Sequence, residues 1–163
     1  IAVVLITSAI SFLSSLSAPK DKNIDIILDK SIKTINLTAD RKSDTIVNII
    51  CQILKIRNVT IICVPLLPEE IESEYLAYID KRSDYYLIRI RPDLKEDLVL
   101  EIYCHELTHL SQYESGRLKK LYYGFEYDHL VYNFKTPYYF RKFEEDAYNS
   151  ESMLKLIYKS IAP

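Results

Sequence analysis

The chain has 163 residues, a one-domain length that lets roughly two thirds of the unfolded surface be buried. Its 48% apolar and 27% charged residues describe a globular protein, and a net charge of −2 favours neither nucleic acid nor an acidic membrane surface. The only two glycines, Gly116 and Gly124, stand in no G-x-G-x-x-G or Walker pattern, which excludes the usual phosphate-cradling loops.

In chain order, residues 1–16 carry no charge, and Lys20 opens a charged stretch. The apolar run is too short for a comfortable membrane span and has the length of a signal-peptide h-region. Ser15-Leu16-Ser17 offers small residues at cleavage-site spacing. Residues 1–18 are therefore expected to be a signal peptide, or an uncleaved anchor that would hold the protein at a membrane. Either places the protein outside the cytoplasm, secreted or extracytoplasmic, with the folded domain spanning 22–163. The competing reading is a buried N-terminal strand or helix.

"NIDIILD" at 23–29 alternates apolar and polar residues and predicts a strand. Ile46, Ile49, Ile50, Ile53 and Leu54 recur at helical spacing, predicting a helix near 40–56 capped by Thr38 or Asp40. "VTIICVPL" is β-branched, so 59–65 is a strand, ended by prolines. Two more strands, 74–80 and 85–91, flank a polar turn at Lys81–Asp84. A long helix is expected over 94–114, a short one near 126–133, and a C-terminal one over 137–161, with Phe140, Phe143, Ala147, Met153, Leu154 and Ile157 partly periodic. Cys51, Cys63 and Cys104 form no C-x-x-C pair; each reads as a small buried apolar residue, with a Cys51–Cys63 disulfide the alternative for an exported chain. Fourteen tyrosines, most of them between Tyr103 and Tyr148, read as core and surface residues, or as the walls of a substrate groove.

The 94–114 helix contains "HELTH". At 100° per residue, His105, Glu106, His109, Leu98, Ile102 and Tyr113 share one sector, Tyr103, Leu107 and Leu110 adjoin it, and Glu101, Thr108 and Gln112 lie on the remaining side. His105 and His109 stand one turn apart, so their imidazoles can converge on one zinc ion. Glu106 is placed to reach a water on that metal rather than the metal itself. Two histidines are too few, since a catalytic zinc wants three protein ligands and an open position. The metzincin third histidine is missing, because Ser115 and Gln112 occupy the diagnostic positions. His129 or a later carboxylate remains.

"HELTH" followed by "RKFEEDAY" resembles the minimal gluzincin-type zincins, in which a second helix carries Glu-x-x-Ala. The resemblance covers 94–155. It implies an α+β fold, with a small mixed sheet packed on an active-site helix and a C-terminal helix bearing the third ligand. It makes Glu144, three before Ala147, that ligand. Tyr148 stands where many gluzincins place an Asp, four after the ligand, as an outer partner of the metal site. The implied activity is zinc-dependent hydrolysis of peptide bonds in a peptide or protein substrate, with zinc-bound water activated by Glu106. An edge strand, 85–91, would pair with the extended substrate. Tyr132, Tyr138, Tyr139 and His129 are the candidates for oxyanion donor. The alternative is a non-catalytic, zinc-stabilised binding domain of the same fold, closed by a fourth protein ligand such as His129. A cytoplasmic zincin that cleaves one repressor is the variant if the N-terminus is not a signal.

Overall fold

A computed structural model describes residues 28–38, 40, 42–72 and 75–162. The architecture is α+β: a mixed four-stranded sheet, helices packed on it, and a second, three-stranded antiparallel sheet. The predicted segment 1–18 and most of the predicted strand 23–29 lie outside the described residues; Leu28 and Asp29 are not in a strand. No helix among the described residues is long and apolar enough to cross a membrane.

Among the described residues the first strand is β1 (Ile32–Asn36), followed by helix α1 (Ser43–Ile53) and β2 (Val59–Pro65). Ile46, Ile49 and Ile50 are buried and Ile53 and Leu54 half-buried, as the helical spacing requires. Lys42 rather than Thr38 or Asp40 is the N-cap residue. Asp40 still serves the helix start, since its carboxylate accepts from the Lys42 N–H at 3.0 Å and the Ser43 hydroxyl at 2.9 Å. The one-turn helix α2 (Pro68–Ile71) leads to β3 (Ala77–Lys81) and β4 (Tyr86–Ile90).

The strand order is β1-β2-β4-β3, with β2 parallel to β1 and β4, and β3 antiparallel to β4. This corrects the expectation that 85–91 forms an edge. β4 lies inside the sheet, and among the described residues its edges are β1 and β3. Alternation in β2 and β4 turns Val59, Ile61, Cys63, Tyr86, Ile88 and Ile90 into the core. Full burial of a side chain such as Ile61 or Ile88 contributes about 1.5–3 kcal/mol. The three cysteines are free and buried, as small apolar residues.

Helix α3 (Glu96–Glu114) lies against this core. Glu96 and Asp97 in its first turn suit the positive end of the helix dipole. Every residue from Ile102 to Leu110 is buried. Thr108 and Gln112, expected on the outer side, are buried as well. Thr108 satisfies its hydroxyl on the Cys104 carbonyl at 2.8 Å, and Gln112 is spent on the site described below.

The predicted helix at 126–133 is instead part of a β-meander: β5 (Leu118–Leu121), β6 (Gly124–Tyr127) and β7 (Leu130–Asn133). Asp128 and His129 turn the second hairpin with φ of +47° and +69°. Positive φ at both central residues is what a type I′ turn demands. Gly124 is needed for packing, because a Cβ there would meet the Tyr132 carbonyl oxygen at 2.0 Å. A 3₁₀ turn at Tyr138–Phe140 then leads into helix α4 (Lys142–Ile161). Phe143, Ala147, Leu154 and Ile157 form its buried stripe, whereas Phe140 and Met153 are exposed.

Candidate metal centre

Two helices face each other at the site. α3 presents His105 and His109 from adjacent turns, and α4 presents Glu144 from its first turn. The side-chain nitrogens Nε2 of His105 and His109 are 3.1 Å apart. Oε2 of Glu144 lies 3.2 Å from the first and 2.9 Å from the second. All three residues are buried, and together they form a group able to hold a metal ion.

The donor set fits a cation. Nδ1 of His105 faces Oε1 of Glu151 at 2.6 Å, and Nδ1 of His109 faces Oε1 of Gln112 at 2.9 Å. The Gln112 amide nitrogen donates to the Phe143 carbonyl at 2.9 Å, so its oxygen is the atom turned to His109. Both histidines are thereby assigned an Nδ1–H, leaving their Nε2 lone pairs for the centre. Two lone pairs and a carboxylate oxygen pointing at one another repel unless positive charge, a metal ion or in its place a proton on Nε2, sits among them. Ligands at about 2.0–2.2 Å from a tetrahedral ion would lie roughly 3.3–3.5 Å from one another. The observed separations are slightly tighter than that.

The electrostatics agree. Burial acts against the charge on His105, but the Glu144 and Glu151 carboxylates outweigh it and raise the group to about 9. Burial likewise works against Glu144, yet hydrogen bonds from His105, His109 and Tyr138 pull its carboxyl down to about 2. The cluster therefore favours an ionised Glu144 and attracts positive charge.

Glu106 is buried beside the three without joining them. Burial raises its pKa, against the opposing pull of His109 and His105. That makes it a stronger base than an exposed glutamate. The backbone N–H of Ile79 on β3 also favours its ionised form, in the same direction as the histidines.

The neighbours of Glu144 have separate tasks. Glu145 is exposed and pairs with Lys142 at 3.0 Å. Asp146 accepts from the Tyr127 hydroxyl at 2.6 Å and pairs with Arg117 at 3.4 Å. Phe125, Tyr127 and Tyr132 of the meander surround the Phe143 ring at 5.2, 6.1 and 5.8 Å. The meander thus fixes the first turn of α4, and with it the direction of Glu144.

Glu151 and Gln112 were not singled out from the sequence. Glu151 lies two turns after Glu144 on the same face of α4. Its carboxylate is the partner of His105 Nδ1. The Tyr148 ring instead sits edge-on to His105 at 5.1 Å. A carboxylate partner makes His105 the more basic ligand, so Glu151→Gln is expected to lower metal affinity about 10–100-fold, read by chelator competition.

Of the four oxyanion candidates, only Tyr138 reaches the centre. Its hydroxyl lies 2.9 Å from Nε2 of His105, on the 3₁₀ turn that precedes α4. Tyr132 packs on Phe143, Tyr139 is 76% exposed, and His129 is exposed in the β6–β7 turn and outside the cluster.

Comparison with protein-family models, with characterised proteins and with solved structures finds no match to this chain.

Proposed function

We propose that the protein is a zinc-dependent metallopeptidase of zincin-like fold, acting on peptide or protein substrates. The observation that carries this reading is the convergence of His105, His109 and Glu144, with Glu106 beside them but outside the ligand set. Zinc is favoured among metals by two imidazoles and one carboxylate, a set used in catalytic zinc sites with an open fourth position. Bound there, zinc supplies Lewis acidity that acidifies water and polarises a carbonyl oxygen.

The chain's own residues carry the remaining steps. Glu106 accepts the proton of the attacking water at its carboxylate and returns it to the departing amine nitrogen. Its elevated basicity suits that exchange. Burial and the nearby Glu144 carboxylate raise the Tyr138 phenol and keep it protonated, so its O–H is a donor for the carbonyl oxygen as negative charge develops there.

The substrate backbone would be held by β3. The Arg91 N–H donates to the Leu76 carbonyl and the Arg82 N–H to the Tyr85 carbonyl, each at 2.9 Å. Counting from these in the β3–β4 register, Tyr78 and Asp80 direct their backbone groups to β4. Ala77, Ile79 and Lys81 direct theirs outward. The Ile79 backbone N–H, which acts on the Glu106 carboxyl, has this parity. An extended peptide adding to this edge lies alongside the general base.

Tyr138 also discriminates the second reading, a closed zinc-stabilised binding domain. Besides the triad itself, it supplies the only polar atom among the described residues that is placed against an Nε2 of the cluster. Under the peptidase reading, Tyr138→Phe lowers kcat by about 10²–10³ with zinc affinity unchanged. A closed structural site would instead lose zinc affinity. The direct test of function is cleavage of a broad peptide library before and after chelation, with zinc content measured in parallel. Cleavage that stops on chelation and returns with zinc supports peptidase activity, and a fully loaded protein that cuts nothing contradicts it.

A further inference from the structure

Beyond the metal centre, the outward edge of β3 ends at Lys81, two residues or roughly 7 Å past Ile79. A cavity of about 350 Å³ opens there, lined by Lys81, Tyr113, Gly116, Leu118, Lys119 and Lys120. Three lysines line it and no carboxylate does. The lysines have carboxylate partners outside that lining: Glu114 with Lys81 at 3.8 Å, Glu126 with Lys119 at 2.7 Å and Asp80 with Lys120 at 2.9 Å. Lys81, Lys119 and Lys120 are about half exposed; the Lys81–Glu114 pair is exposed on both sides and contributes little, and Asp80 has a second cation in Arg82 at 2.8 Å, so Lys81 and Lys120 can turn to an entering carboxylate.

The cavity adjoins the catalytic groups. Tyr113 is one helical turn beyond His109 on the same side of α3. Its phenol is raised by burial and then by Asp80, Glu144 and Glu106, whose charges it therefore senses. Its hydroxyl makes no hydrogen bond among the described residues. The Lys81 ammonium lies 5.9 Å from the Tyr113 ring centre, so the Lys81 side chain is on the α3 side of the strand.

A peptide added antiparallel to β3 runs opposite to it. Residues reaching Lys81 then precede the residue beside Ile79. Directly opposed residues in such a pair share a face, so the peptide side chain facing Lys81 projects towards Tyr113 and the lysines.

We propose that this cavity is a substrate subsite for an acidic side chain, Asp or Glu, placed two residues before the one that pairs with Ile79. The position of the cut rests on the peptidase reading; the preference for a carboxylate does not. The experiment has two arms. In the first, a position-scanning peptide library with Glu, Gln or Lys fixed at each place is digested by the zinc-loaded protein and the cuts are mapped by mass spectrometry. Glu should be favoured about tenfold over Gln at one place N-terminal to the cut, and the double variant Lys81→Glu, Lys120→Glu should favour Lys there. Equal cutting of the Glu and Gln series, or a preference that survives the double variant, overturns the proposal. In the second arm, binding of the same labelled pools to zinc-loaded Glu106→Gln is followed by fluorescence anisotropy. If nothing is cut, the peptidase reading fails while this arm still decides the subsite: tighter binding of Glu pools that reverses in the added double variant sustains it, and indifference to charge overturns it.

Discussion

Glu106→Gln is expected to abolish peptide cleavage, by about 10²–10⁴-fold, while zinc stays bound at full stoichiometry. The amide has the shape of the carboxylate and fits the same buried place. It has no oxygen basic enough to take a proton from water. The metal ligands are untouched, because the converging atoms are those of His105, His109 and Glu144. Kinetics and elemental analysis on one preparation check both halves. Undiminished turnover would remove Glu106 from the chemistry, and loss of zinc would make it a ligand.

The second large effect separates two adjacent glutamates. Glu144→Ala removes the oxygen that lies 2.9 and 3.2 Å from the two imidazoles. It leaves two ligands where a catalytic zinc requires three. Zinc affinity should fall by more than the about 10–100-fold expected for losing an outer hydrogen-bond partner. Glu145→Ala should leave affinity close to wild type, because Glu145 points about 100° away on the helix and its partner is the surface residue Lys142. Competition with a chromophoric chelator measures both. Equal losses in the two variants would show that the acidic run acts as a diffuse field rather than through one ligand.

Those two predictions rest on residues that were legible in the sequence. His-Glu-x-x-His on a helix leaves little choice about which atoms share a face, and the Glu-x-x-Ala context singled out Glu144 from its neighbours. The strands 59–65, 74–80 and 85–91 were legible because β-branched residues alternate and turns bracket them. Their lateral order was not. Periodicity tells which side chains are buried, but β4 and β3 are consecutive in sequence and nothing local states that β4 pairs on both sides. β1 was missed because "IKTIN" has few apolar residues; it is held by pairing with β2 in register Ile32 to Val59.

The meander escaped for a different reason. Its strands are four residues long, and a non-glycine pair, Asp128–His129, makes the tight turn. The usual Asn-Gly or Asp-Gly mark of such a turn is absent. The outer partners of the histidines were readable only in part. Gln112 follows His109 by three and His105 by seven, so at 100° per residue it stands about 20° from His105; its polar side chain, not its angle, is what suggested the outer side. Glu151 is seven residues after Glu144, close to two full turns, so its face was implied once Glu144 was assigned. That it meets His105, rather than water, depends on how α3 and α4 pack.

X-ray absorption at the zinc edge of the purified, metal-loaded protein reads the ligand set itself. Two imidazole nitrogens and one carboxylate oxygen at about 2.0–2.2 Å are predicted, together with one further oxygen that a small inhibitor such as a hydroxamate displaces. Removal of the carboxylate contribution in Glu144→Ala should follow. A site that binds no stoichiometric zinc, or one whose fourth position is filled by a protein ligand that no inhibitor displaces, would contradict the account.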